Sequence, residues 1–245
     1  MLIAFLLSIL IGTPAAGDTI TLRTDAWCPY SCDPDSEYPG ILYEIAEAAF
    51  TGEGYEVDYK LSSWARSIAQ VRTGKADVLL GAYRQDVPDF VFHDRPAATS
   101  TMQFWTLPDS DWTYTGLESL EGLEIGLIKD YSYGDEVDPY FKANPDQLQE
   151  TVGKDPLVSL VRRLERGRVD VVIDDSWVMA YFLKSHPDMP RLRMAGGVEG
   201  ESVYIPLSPA KVARSKELAR IIDAGIEKLE KSGGLARIYE RYGVK

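Results

Sequence analysis

The chain has 245 residues, 45% of them hydrophobic, enough apolar material for one large core or two modest ones and too much for a disordered chain. Its 38 acidic residues outnumber 26 basic ones, giving a formal net charge of −12. That balance argues against nucleic acid and anionic membrane surfaces as partners; a cationic or zwitterionic small molecule suits the overall field better.

Residues 1–11 are almost wholly apolar and uncharged, and they run into Gly12-Thr13-Pro14-Ala15-Ala16-Gly17 before the first charged residue, Asp18. The run is shorter than the roughly 20 residues that span a bilayer, and small residues at positions 15 and 17 suit cleavage before Asp18. Residues 1–17 are therefore read as a signal peptide for export to the periplasm, although no Lys or Arg precedes the apolar run. The two cysteines stand in Cys28-Pro29-Tyr30-Ser31-Cys32. Redox pairs usually have two intervening residues, so in an exported chain Cys28 and Cys32 read as a structural disulfide closing a small loop.

Alternation over 20–24 predicts a short strand, followed by a helix at 41–50 and a second strand at 56–61. Ser63 can cap a helix over 64–72 that Gly74 ends, and the apolar run 76–80 is the buried strand of a parallel sheet. The same phrase returns later: Asp155 and Pro156 open a helix, Gly167 ends it, and 169–173 forms a strand, with Gly74 aligned on Gly167 and Asp77 on Asp170. Repeated units imply two α/β lobes. Residues 104–109 and 204–209 read as two extended crossovers between them, side by side as a hinge. The lobes are thus expected at 18–107, 108–205 and, returning to the first, 206–245. A long amphipathic helix over 215–231, stopped by Gly233-Gly234, and a short one over 235–242 complete the chain.

Several segments together resemble the bacterial extracellular solute-binding proteins of family 3, the polar amino acid binding type of ABC importers. The carrying stretches are Leu22-Arg23-Thr24-Asp25-Ala26-Trp27, Pro39-Gly40-Ile41-Leu42-Tyr43-Glu44, Thr73-Gly74-Lys75-Ala76-Asp77 and Phe90-Val91-Phe92-His93-Asp94-Arg95-Pro96. Leu120-Glu121-Gly122-Leu123-Glu124, Arg166-Gly167-Arg168-Val169-Asp170 and Ser232-Gly233-Gly234-Leu235-Ala236-Arg237 continue the pattern, which covers residues 20–243. The resemblance implies the type II periplasmic binding fold, α/β and two-lobed, with a small polar ligand in the cleft. It also implies delivery to an ABC permease in the membrane, with an amino acid as the leading guess for the cargo. A monomer without cofactor is expected.

In open α/β sheets ligands bind beyond the carboxyl ends of the strands. That rule aims Gly81, Ala82, Tyr83 and Arg84 at the cleft from one lobe, and Asp174 and Asp175 from the other. In the resembling family an acidic residue at the position of Asp175 receives the ligand's ammonium, as a charge-assisted hydrogen bond; the same residue type also suits an N-cap of a helix at 176–184. The family's usual carboxylate-gripping Arg is missing from Gln85-Asp86-Val87-Pro88-Asp89, which leaves Arg84 and Arg66 as candidates with the planar fork that suits a carboxylate. On the second lobe, Tyr131 and Ser132 lie in the 129–134 loop before a helix, a setting that favours an anionic group. Trp27, Tyr30 and Trp64 are candidates for stacking on the ligand.

The main rival is an enzyme of the same fold with Glu44, Asp174 or Asp175 as acid or base. No nucleophile elbow or zinc helix is visible, and His93 and His186 lack metal-ligand spacing, so neither metal nor catalytic residue is expected. A sensor input domain shares the pattern; with the sequence ending at Lys245, a fused signalling domain is not expected, though presentation of ligand to a separate receptor is.

Overall fold

The structure, a computed structural model, describes residues 18–153 and 155–244; the expected signal segment 1–17 lies outside them. Two sheets organise the chain. In the first, β1 (Thr19–Thr24) is central between β2 (Glu56–Leu61) and the short β3 (Val78–Leu79), all parallel. In the second, the order is β7 (Leu148–Thr151), β6 (Ile125–Ile128), β8 (Val171–Asp175), β5 (Met102–Thr106), β9 (Arg193–Gly197). Here β7, β6 and β8 run parallel, while β5 is antiparallel to both of its neighbours. A separate ribbon of β4 (Ala98–Ser100) and β10 (Glu201–Val203), antiparallel, carries the chain between the sheets.

The helices follow from apolar spacing. In α1 (Ile41–Thr51) the buried residues Ile41, Leu42, Ile45, Ala46, Ala49 and Phe50 form one stripe, which packs on α6 (Val212–Lys231) through Leu218, Ala219, Ile222 and Ile226. Gly225 makes the contact tight, since a Cβ there would lie 2.4 Å from that of Ala49. α7 (Gly234–Tyr242) closes over this pair, and its Tyr242 hydroxyl accepts from Gly40 N at 2.7 Å.

The repeated phrase is a repeated structure. α2 (Trp64–Arg72) and α4 (Pro156–Glu165) both end just before a left-handed glycine, Gly74 at φ +72° and Gly167 at φ +63°. In each unit the aspartate that follows ties the new strand to the neighbouring parallel strand, β1 in the first sheet and β6 in the second. Asp77 N donates to Thr21 O and its carboxylate accepts from Thr21 N at 3.1 Å; Asp170 N donates to Glu124 O and its carboxylate accepts from Glu124 N at 2.8 Å.

Two expectations need correction. Residues 104–109 do not form a crossover: Phe104, Trp105 and Thr106 belong to β5, paired on both sides, and the change of sheet falls earlier, at the β4–β10 ribbon. The reason is that Met102, Phe104 and Trp105 are buried sheet residues, so the run is a strand interior. The strand expected at 169–173 instead spans Val171–Asp175, which places both acidic residues inside β8 and not beyond its end. Cys28 and Cys32 are joined as a disulfide across a Cα separation of 4.9 Å, next to the Trp27–Ser31 bridge.

Candidate functional site

The carboxyl ends of β1 and β3 face those of β6 and β8 across a cleft. Lobe 1 contributes Asp25, Trp27, Trp64, Gly81, Ala82, Tyr83 and Asp86, and the other sheet Met102, Tyr131, Ser132, Tyr133 and Asp174. A Cβ at Gly81 would sit 2.9 Å from Leu42 Cδ1 and 3.2 Å from the Trp27 ring, so the absent side chain lets that indole lie flat against the strand end. The lobes touch here: the Tyr131 hydroxyl donates to Asp25 Oδ2 at 2.7 Å, and Gln85 Nε2 donates to Glu201 Oε2 at the rim.

Of the residues expected from sequence, Trp27, Trp64, Gly81, Ala82, Tyr83, Tyr131, Ser132 and Asp174 line this cleft. Tyr30, Arg66, Arg84 and Asp175 do not. Tyr30 is 0% exposed, stacked between Trp27 at 4.1 Å and Trp177 at 5.6 Å, with its hydroxyl on Thr99 O and Asp175. Arg66 lies exposed on α2. Arg84 turns outward, donating to His93 O at 3.0 Å, with its guanidinium over the rings of Phe92 and Tyr204.

Adjacent residues of a strand point to opposite faces, so Asp174 and Asp175 cannot share a role. Asp175, 0% exposed, caps α5 (Ser176–Ser185): its Oδ1 accepts from Trp177 N at 2.8 Å and Val178 N at 3.0 Å. Its Oδ2 accepts from Ser100 Oγ at 2.8 Å and Thr101 N at 2.9 Å, with Tyr30 Oη at 3.2 Å. Every lone pair is engaged, and the bonds join the helix to the hinge ribbon and to lobe 1. In this structure the Asp175 carboxylate, expected to meet a ligand ammonium, is instead engaged by protein donors and is not among the residues lining the cleft. The relay continues to the cleft wall, because Ser100 Oγ accepts from the Tyr83 hydroxyl at 2.8 Å.

Asp174 is the opposite case. It is 3% exposed; its Oδ1 accepts from Asp175 N at 2.7 Å, and its Oδ2 is buried without a partner. Burial, and next the neighbouring Asp175 charge, push its carboxyl up to about 8. Burial likewise raises Asp86 to about 6, reinforced by Asp138 and Glu201 and opposed by the Tyr83 amide, and it raises Asp25 against the pull of Tyr131. Asp25 and Asp86 were not anticipated. The strand-end rule applied to β1 would have reached Asp25, the residue just after it; Asp86 enters through the turn in which its Oδ2 accepts from Tyr83 N at 3.2 Å, a local geometry no periodicity announces. Met102 was missed because its strand was read as a crossover beginning at 104; Tyr133 lies in the 129–134 loop, from which only Tyr131 and Ser132 were chosen.

Part of the donor set of the loop expected to hold an anion is already engaged. Asp138, at the start of α3 (Asp138–Ala143), accepts from Ser132 Oγ at 2.6 Å and from Tyr133 N at 2.8 Å, and Glu201 Oε1 accepts from Asp135 N at 2.9 Å. Among the described residues, no group of His, Cys, Asp and Glu is arranged to hold a metal ion.

Two α/β lobes joined by a paired-strand hinge, with a polar cleft between the strand ends, define a two-lobed periplasmic-type binding fold. The model of the bacterial extracellular solute-binding proteins, family 3, matches residues 20–245, and the chain belongs to that family. Among solved structures it is similar to an ancestral arginine-binding protein bound to arginine, at 22% identity and TM-score 0.75, covering 92% of this chain and 98% of that one. It is similar also to a histidine kinase sensor domain that resembles periplasmic binding proteins, at 19% identity and TM-score 0.75, covering 93% and 97%. An ancestral amino acid-binding protein, a precursor of cyclohexadienyl dehydratase, matches at 18% identity and TM-score 0.71, covering 91% and 94%. No curated protein matches the sequence.

Proposed function

We propose that this protein is the substrate-binding component of an ABC importer, working outside the cytoplasmic membrane, where it captures a small polar solute and passes it unchanged to a permease. The supporting observation is the cleft itself: it lies between two lobes joined by a hinge ribbon and bridged across its mouth by side chains such as Tyr131 and Asp25, the arrangement in which hinged lobes close around a ligand. An amino acid or amino-acid-like compound is the cargo class of the arginine-bound relative, and by analogy the first to test here. Calorimetric titration with amino acids, amines, small acids and sugars, followed by mass spectrometry of the recovered solute, checks this reading. Stoichiometric binding with the solute unchanged is expected; chemical conversion would replace it with an enzyme.

That second reading has one observation in its favour. A buried carboxyl held near 8, as at Asp174, is protonated at neutral pH and is the state a general acid needs. Presentation of the loaded protein to a separate membrane sensor remains compatible with the same binding step.

A further inference from the structure

The cleft is unbalanced in charge. Asp25 and Asp86 from one lobe and Asp174 from the other line it, and no Lys or Arg is among its described lining residues. A second depression beyond the same wall shares Trp27, Tyr131 and Asp174 and adds Asp155 and His186, again with no Lys or Arg among the described residues. An α-amino acid needs a partner for its carboxylate as well as for its ammonium. The two arginines that could have supplied one are on the outside or stacked on Phe92 and Tyr204. Several amide and hydroxyl donors are also engaged: Ser132 Oγ and Tyr133 N with Asp138, Gly81 N and Ala82 N with Tyr204 O, and Tyr83 N with Asp86. What the cleft offers instead is acceptors and aromatic faces, Trp27 and Trp64 among them, which suit a positive charge.

Asp174 carries the argument beyond a cluster of acids. A carboxyl oxygen buried without a hydrogen bond is costly, and Asp174, which lines the cleft, keeps its buried Oδ2 without a partner among the described residues. We infer that the ligand of this cleft is an organic cation with no carboxylate of its own, an amine or a guanidine, whose N–H groups satisfy Asp174 from one lobe and Asp86 from the other. This rests on the binding reading above and narrows it. The raised carboxyls fit the same picture: a cation would displace the proton that burial leaves on Asp174. The charged and titratable groups facing Asp174 are Asp175, Asp25, Asp155, His186, Tyr131 and Tyr133, mostly acidic or neutral, so no resident cation substitutes for the ligand.

The test is calorimetry at pH 8 on the full chain with two matched pairs, agmatine against arginine and 1,5-diaminopentane against lysine, each pair differing in the carboxylate alone. The decarboxylated member is expected to bind at least tenfold more tightly in at least one pair, and Asp174→Asn to lose at least tenfold of that affinity without a fall in thermal midpoint. Asp86→Asn, in the half-buried turn after Tyr83, supplies a second variant with the same expected direction. An amino acid that binds as well as its amine overturns the inference and leaves the binding reading standing, as does a neutral or anionic solute that binds where the amines do not. Unchanged amine affinity in both variants also overturns it. Absence of binding by every solute removes both readings together.

Discussion

The two helix–glycine–strand units begin alike and end differently. At the base, Asp77 and Asp170 make the same bonds to Thr21 and Glu124, so the repeat is a repeated solution to one problem, anchoring a new strand beside an existing one. At the tip, the first unit runs out into Gly81, Ala82 and Tyr83, which shape the cleft by being small or flat. The second ends in Asp174 and Asp175, which supply charge. Architecture was kept at one end of the unit, where it holds the sheet. Chemistry diverged at the other, where the sheet stops making demands.

Substitutions can break this comparison at several points. The largest effect is expected at Asp175, whose replacement by Ala strands the buried donors of α5 and the hinge; urea unfolding should report a loss of about 3–5 kcal/mol. At the bases, Asp77→Ala should cost about 2 kcal/mol, because Asp77 is buried, holds both Thr21 N and Thr21 Oγ1, and pairs with Lys211 at 3.2 Å. Asp170→Ala, at an exposed position with a single carboxylate bond, should cost about 1 kcal/mol or less. Equal losses at the two bases would show that the burial of Asp77, its bond to Thr21 Oγ1 and its pairing with Lys211 add nothing to the shared backbone anchor.

Asp174→Asn should go the other way. A carboxyl raised to about 8 binds its proton more tightly folded than unfolded, so ionising it weakens the fold progressively as pH rises from about 4 to 8. The Asn variant escapes that loss. Its thermal midpoint should match the parent near pH 4 and exceed it increasingly toward pH 8; a constant difference across that range would mean the carboxyl titrates normally.

The base of each unit was legible in the sequence because it is local: helix, left-handed glycine, aspartate and apolar run lie between Trp64 and Leu79 in one unit and between Pro156 and Asp175 in the other. The site was half legible for the same reason. The strand-end rule found Gly81, Ala82, Tyr83 and Asp174, but a two-residue shift in the start of β8 hid that Asp174 and Asp175 lie within a strand, where alternation separates them. Family analogy then favoured Asp175, a residue whose type is explained by capping and by the hinge. Arg84 and Arg66 were plausible by position alone; only tertiary packing reveals that Arg84 is held by His93 and two rings. The hinge was misplaced because Phe104 and Trp105 look the same in an extended crossover as in the middle of a sheet.

The claim that joins these observations is that Asp174 keeps a proton until a cation takes its place. Calorimetry of agmatine or diamine binding at pH 7, repeated in two buffers of different ionisation enthalpy, counts the protons exchanged on binding. A carboxyl at about 8 that becomes an ion-pair partner should release close to one proton per ligand bound. Binding with no proton release, or with proton uptake, would contradict it.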